Sequence, residues 1–470
     1  MIEPSGQLVA GDEVERETRT TCREWMTHGL HTAGELANTD AGDPSWPDGR
    51  SGDVLSGADR ADWLRTPTTF RPIGEAVEAG WLVAVATQNK TPPGAMSGLT
   101  VAVKDIIDVA GMPVRNGTPG ALWRDPTESA PAWSTLASAG ARCIGKAATH
   151  EMAWGVTTPQ IANPIDPARI AGGSSGGSAA CVAAQISQGA LGTDTGGSVR
   201  IPAALCGVVG FRPTTGSIDT GGITPLAPEQ DVVGPIAGDV RTCAAMLEVL
   251  LGRPLDLNDP AARTVRGLRI GVLTKTGPLD AETATAYVDT LELLESMGVE
   301  VIACDTRLAQ WSGSVSLLTM LASSAVLHAG AVRADPTGFG SEARALLTVG
   351  TGLSADTDLI NRARNALATA TADLFSKHRL DAFLTPTTPC VAPDRRADTV
   401  TIDARTEAIS SALTRFTAWA SVTAMPALSV PVHTSGMPVG AQIMAPPNRE
   451  DTCARVALCI EEITGRVQTD

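Results

Sequence analysis

Residues 171–206 read AGGSSGGSAACVAAQISQGALGTDTGGSVRIPAALC. Two glycine–serine loops, Gly172–Ser178 and Gly196–Ser198, bracket an apolar run of small residues. Glycine lets backbone N–H groups approach a ligand, and a serine hydroxyl can act as a nucleophile or pass on a proton. The small residues of Ser178–Gln188 predict a helix, and Leu191–Asp194 predicts a strand running into the second loop. The stretch therefore reads as loop, helix, strand and loop: an α/β unit with a site built from two loops.

The composition around this unit is that of a globular protein. The chain has 470 residues, of which 43% are hydrophobic and 19% charged, with a formal net charge of −15. Length alone suggests about three domains. The 47 glycines favour close packing of helices on a sheet. The acidic balance and the single Tyr, six Phe and nine Trp argue against a nucleic-acid partner, which needs basic and aromatic surface. The nine cysteines form no CxxC and no Cys–His pair at ligand spacing, so no metal is expected. Scattered through apolar runs, they read as reduced, buried thiols. Residues 1–17 lack a basic-then-apolar leader pattern. No apolar run approaches about 18 residues without a polar break, so no membrane partner is expected. These features suggest a cytoplasmic location.

Outward from residues 171–206, strands and helices alternate. Leu99–Val103 is a short apolar run that predicts a buried strand, placing Lys104 and Asp105 at its carboxyl end, where α/β proteins put their chemistry. A helix near Pro131–Ala139 and a strand at Arg142–Ile144 follow. Val208–Phe211 reads as a strand, Gly216–Pro235 as a long loop of the kind that is often functional, and Thr242–Leu251 as a helix. Leu268–Leu273, Ala281–Met297 and Val299–Ala303 form a βαβ unit. Ser354 is expected to cap a helix ending near His378. Asp381–Leu384 reads as a strand, Thr406–Ala420 as a helix, Ala427–Val432 and Val439–Ile443 as strands, and Glu450–Ile463 as a closing helix. Before all of these, 20–31 suggests a short helix, 38–60 a loop, and 61–89 partly helical chain. The fold class is α/β, layered around a mostly parallel sheet.

Several chemistries compete for the loops. Gly140–Ala147 nearly matches a phosphate-binding loop, but Ala147 stands where the metal-binding hydroxyl belongs, and a helix–turn–strand joint is the sober reading. Gly173–Gly177 fits G-x-S-x-G, with Ser175 as nucleophile and Asp394 and His433 as partners, although 166–171 makes a poor preceding strand. A flexible linker is a third reading, less apt than a glycine loop opening a helix. A fourth joins both loops to Lys104, which could serve as a base if burial lowered its pKa from ~10.4 toward about 7–8. Against it stands a lysine that reaches solvent and pairs with Asp105. The spacing does not decide between these two.

The run GGSSGGS with GTDTGGSVR downstream resembles the signature of the amidase signature family of serine hydrolases. Segments 101–113, 234–252, 383–393 and 425–444 are similar to family segments in the family's order. The resemblance thus runs from about Leu99 to the C-terminus and implies a domain at 96–470 after an atypical N-terminal segment, 1–95. It implies an α/β/α sandwich with a large mixed, mostly parallel sheet flanked by helices. By position, Ser198 matches the nucleophile, Ser174 a bridging serine preceded by a cis peptide bond, and Lys104 the base. Backbone N–H groups of Thr195, Gly196, Gly197 and Ser198 match the oxyanion hole, and Ser175, Asp194 and Arg200 the groups that orient the loops. Met152 and Trp154 match a segment lining the acyl side of the site.

The implied function is hydrolysis of a small carboxamide or related C–N acyl compound through an acyl-enzyme, with no cofactor and room for a homodimer. Residues 305–350 correspond to the family's most variable part and are expected to choose the substrate. Two alternatives share the triad: a glutaminase-type subunit of a tRNA-dependent amidotransferase, and a biosynthetic acyl or amide transferase.

Overall fold

Residues 100–104, TVAVK, are buried at every position, and the sheet is assembled outward from them. The computed structural model describes residues 26–38, 44–47, 70–86, 91–257, 264–432 and 436–467. Along the chain the strands are β1 (Leu82–Val85), β2 (Thr100–Lys104), β3 (Arg142–Ala147), β4 (Gly189–Asp194), β5 (Val209–Arg212), β6 (Val232–Ala237), β7 (Arg269–Leu273), β8 (Glu300–Cys304), β9 (Ala382–Pro386), β10 (Thr399–Ile402), β11 (Arg405–Ala408), β12 (Ala427–Val432) and β13 (Val439–Met444). Eleven of them form one sheet in the order β1-β3-β2-β4-β6-β5-β12-β13-β9-β7-β8, and β10 and β11 form a separate hairpin. This is the expected large mixed sheet flanked by helices. Its parallel pairs lie in two blocks, β3-β2-β4 and β9-β7-β8. The strands between the blocks pair antiparallel, as the short β12–β13 connection requires. Strands buried on both faces read as continuous apolar runs, which is why β2 and β9 were legible.

The βαβ unit forms as expected, with Asp280 capping the helix Ala281–Ser296 by accepting from Thr283 N. Other boundaries differ for identifiable reasons. The helix after the first glycine loop starts at Gly176 and stops at Ala183, because Gln185 turns left-handed (φ 58°) to lead into β4. The end of the loop expected at 216–235 is strand β6. Asp356, not Ser354, occupies the N-cap of Thr357–His378, without a side-chain capping bond. The single helix expected at 406–420 is β11 followed by two short helices, Ile409–Thr414 and Thr417–Val422. Phe416 and Thr417 give their carbonyls to Gln442 and Arg200, so the site interrupts the helix there. Of 20–31, residues 26–31 are helical and the rest lie outside the described residues. The chain 61–89 contains a helix, Ile73–Glu78, and the edge strand β1, which pairs with β3.

Leu308–Ala334 is the one helix among the described residues long and apolar enough to cross a membrane by length and composition, and half of its most apolar window is buried inside the fold. It packs against Ser341–Thr351, Thr357–His378 and Thr417–Val422. The eight described cysteines are buried, and none is joined in a disulfide.

Candidate active site

Lys104 ends β2, between β3 and β4, and its side chain is fully buried. Its Nζ lies 2.7 Å from Ser174 Oγ and 2.8 Å from Thr193 Oγ1. Burial brings its pKa down to about 7, against the upward pull of Asp194 and Asp231. Asp105 is not its partner: that carboxylate faces Lys146 Nζ at 3.5 Å.

The first glycine loop presents Ser174 to this lysine. The Gly173–Ser174 peptide is cis. Gly173 packs so closely that a Cβ would lie 1.9 Å from Thr157 O. Ser174 O accepts from His150 N, and Ser175 Oγ bridges the N–H and carbonyl of Thr193. Ser175 N donates to Ser198 O at 3.2 Å, which joins the two loops.

The second loop leaves the end of β4. The carbonyls of Gly196, Gly197 and Ser198 accept from Thr417 Oγ1, Ile201 N and Ser175 N. The N–H groups of residues 195–198 donate to no group among the described residues. Four donors are thus left without protein partners among the described residues while three carbonyls of the loop are held, an arrangement suited to a developing oxyanion. Gly197 needs to be glycine for its own backbone: its φ is +136°, and a Cβ would meet Thr417 Oγ1 at 2.4 Å. A Cβ on Gly196 would meet Met320 Cε at an ordinary 3.7 Å.

Beneath the loop, Asp194 is completely buried and held bidentately by Arg200, with Nε–Oδ2 at 2.9 Å and Nη2–Oδ1 at 2.8 Å. Arg212 Nη1 adds a contact at 3.1 Å and Val199 N one at 3.2 Å. Burial pushes the Asp194 carboxyl up, but Arg200 and Arg212 outweigh it and hold the group well below the usual carboxylate range. Arg200 also reaches Gln442 Oε1 and Ser421 Oγ, so every part of its fork is engaged. Above the loop, Thr195 Oγ1 donates to Asp231 Oδ1 at 2.5 Å. A void lined by Thr193, Thr195, Asp231 and Ala153 runs alongside.

Met152 and Trp154 are both buried in the main core. Between them Ala153 faces the void, and the backbones of Met152 (φ 51°) and Ala153 (φ 64°) are left-handed. Trp154 Nε1 is buried without a hydrogen-bond partner among the described residues. The competing chemistries are not assembled. Ser175 is occupied by Thr193, no strand leads into its loop, Asp394 caps Arg396 N, and His433 lies outside the described residues. Gly140–Ala147 is the turn and strand of the sober reading, with Lys146 buried in β3. Thr193, Asp231, Arg212, Thr417 and Gln442 escaped the sequence. Only the length of the 216–235 loop pointed toward Asp231.

The family model described as Amidase matches residues 78–454. A protein named amidase from Pseudomonas putida is 35% identical over 72% of this chain and 75% of its own length. The A-type subunit of glutamyl-tRNA(Gln) amidotransferase from Koribacter versatilis is 32% identical over 83% of this chain and 89% of its own. A solved crystal structure of an amidase superposes with a TM-score of 0.76 at 30% identity, covering 86% of this chain and 96% of that one.

Proposed function

The chain belongs to the amidase family, whose members hydrolyse carbon–nitrogen amide bonds, and on that footing we propose that it cleaves a small carboxamide through an acyl-enzyme on Ser198. The observation that carries this reading is the 2.7 Å contact between the buried Lys104 Nζ and Ser174 Oγ. With a pKa of about 7, roughly half of the Lys104 side chains are neutral at neutral pH. Neutral Nζ keeps two N–H bonds and a lone pair. It donates to Thr193 and accepts the proton of Ser174.

Ser174 in turn takes the proton of Ser198, whose Oγ attacks the amide carbon. The negative oxygen is received by N–H groups of residues 195–198, and losing one such donor typically costs ~3–4 kcal/mol of the barrier. The proton returns through Ser174 to the leaving nitrogen, and water releases the acid by the same relay. Asp194 and Arg200 orient the loop without touching the reacting atoms. Ile106, Ala153, Ile223 and Leu226 give the void beside Thr195 apolar walls, which suit an uncharged acyl group.

Ser198→Ala and Lys104→Ala, assayed on alkyl, aryl and urea-type amides, test the triad. Loss of turnover in both is expected, and full activity in either overturns it. A second reading, a glutaminase-type subunit of a tRNA-dependent amidotransferase, is supported by the similarity to the Koribacter protein. Ammonia release from glutamine only in the presence of co-purifying partner chains would favour it over the stand-alone enzyme.

A further inference from the structure

Thr195 is the first residue of the donor loop, and its hydroxyl is tied to Asp231 Oδ1 at 2.5 Å. The other Asp231 oxygen accepts from Leu226 N at 2.8 Å and Ala227 N at 3.0 Å. Three donors converge on this carboxyl group, so it works as an acceptor. The chain that carries it is fixed from outside. His328 Nε2 contacts Pro225 O at 2.9 Å, Gln230 exchanges two hydrogen bonds with Ser316, and Glu229 accepts from Ser323. The long helix Leu308–Ala334 therefore holds residues 225–231, and Asp231 passes that restraint to the donor loop.

We propose that Asp231 is a positioning residue for acylation: through Thr195 Oγ1 it fixes the start of the donor loop, and it places a negative charge on the Thr193–Thr195 side of Lys104. This rests on the Ser198–Ser174–Lys104 reading above. Two carboxylates act on Lys104. Asp194 is committed to Arg200 and Arg212, whereas Asp231 has no cation within ion-pair distance among the described residues. Arg212 is the cation whose charge acts on Asp231, and Asp105 and Lys146 face each other. Burial raises the Asp231 carboxyl, and the bonds from Thr195, Leu226 and Ala227 pull against that rise.

The test is the rate at which a fluorophosphonate labels Ser198 as a function of pH, together with steady-state kinetics and melting temperature. Asp231→Asn keeps an acceptor and a donor but removes the charge. Its acid limb is expected to move to lower pH, because the ammonium form of Lys104 loses a stabilising neighbour. Thr195→Val removes the tie and leaves the charge. Its labelling plateau and kcat are expected to fall about tenfold or more, with KM and the limb unmoved, since small misplacements at a reacting centre cost that much. Thr195→Ser is expected to restore the plateau. An unmoved limb in Asp231→Asn, or an undiminished plateau in Thr195→Val, overturns the proposal. Labelling of the unmodified enzyme at a residue other than Ser198 would overturn the triad, and this inference with it.

Discussion

Two lysines sit side by side in the sheet, each fully buried: Lys104 at the end of β2 and Lys146 on the neighbouring β3, opposite Val103. Burial lowers both, Lys104 to about 7 and Lys146 to about 8. Their partners separate them. Lys104 meets two hydroxyls, Ser174 and Thr193. Lys146 meets the Ile107 carbonyl at 2.5 Å and the Asp105 carboxylate at 3.5 Å. A hydroxyl can donate or accept, so Lys104 can lose its proton and leave its partners satisfied. If Lys146 lost its proton, Asp105 Oδ1, which has no hydrogen-bond partner among the described residues, would be left as an uncompensated buried charge. A buried lysine among hydroxyls can act as a base, whereas one facing a carboxylate is a fixed charge.

Exchanging each lysine for methionine breaks that comparison at its widest point. Lys104→Met is expected to lower kcat/KM by about 10²–10⁴-fold, the usual worth of a positioned base. In the unmodified enzyme kcat/KM should rise with pH through about 7, where neutral Lys104 accumulates. Lys146→Met is expected to keep turnover per folded molecule and to cost about 3–5 kcal/mol of stability in denaturant unfolding, because Asp105 loses its counter-charge. If Lys146→Met abolished turnover in folded protein and Lys104→Met did not, the roles would be reversed.

The methionine variants should also differ in the pH dependence of their melting temperatures. The folded pKa of Lys104 is about 7 against an ordinary 10.5, so between those values the unfolded chain binds more protons and stability rises with pH. Below pH 7 the folded protein bears the full cost of a buried ammonium. Lys104→Met should therefore be more stable than the unmodified protein at pH 6, and the difference should shrink toward pH 10. Lys146→Met should be less stable across neutral pH. A Lys104→Met variant destabilised equally at both pH values would mean that the lysine is a structural charge like its neighbour.

The sequence could name Lys104 but not its environment. The residues left a solvent-reaching lysine and a buried base equally open, and only resemblance chose between them. Lys104, Ser174 and Ser198 were nameable as candidates because they lie in motifs that resemble the family's, position by position. Asp231 was not, because its role depends on Thr195, 36 positions earlier, and on a helix that follows it. That helix, Leu308–Ala334, is apolar on nearly every side, so it carries no periodic signal. Lys146 lay in a segment whose glycines suggested a phosphate loop, and nothing local announced that it would be buried against Asp105. The split of 406–420 was equally hidden, since the pins on Phe416 and Thr417 come from Gln442 and Arg200.

The smallest expected effect isolates the Lys146 half of the comparison. Asp105 Oδ2 accepts from Arg115 N, a bond that an asparagine oxygen can keep. Asp105→Asn in the Lys146→Met background removes the stranded carboxylate and leaves a neutral amide whose N–H group lacks a partner. An unpaired neutral group costs about 1–3 kcal/mol, less than an unpaired charge. The double variant should therefore recover part of the stability lost in Lys146→Met, so the two substitutions should not add. Additive losses in denaturant unfolding would mean that the 3.5 Å pair carries no mutual stabilisation and that Lys146 is held by the Ile107 carbonyl alone.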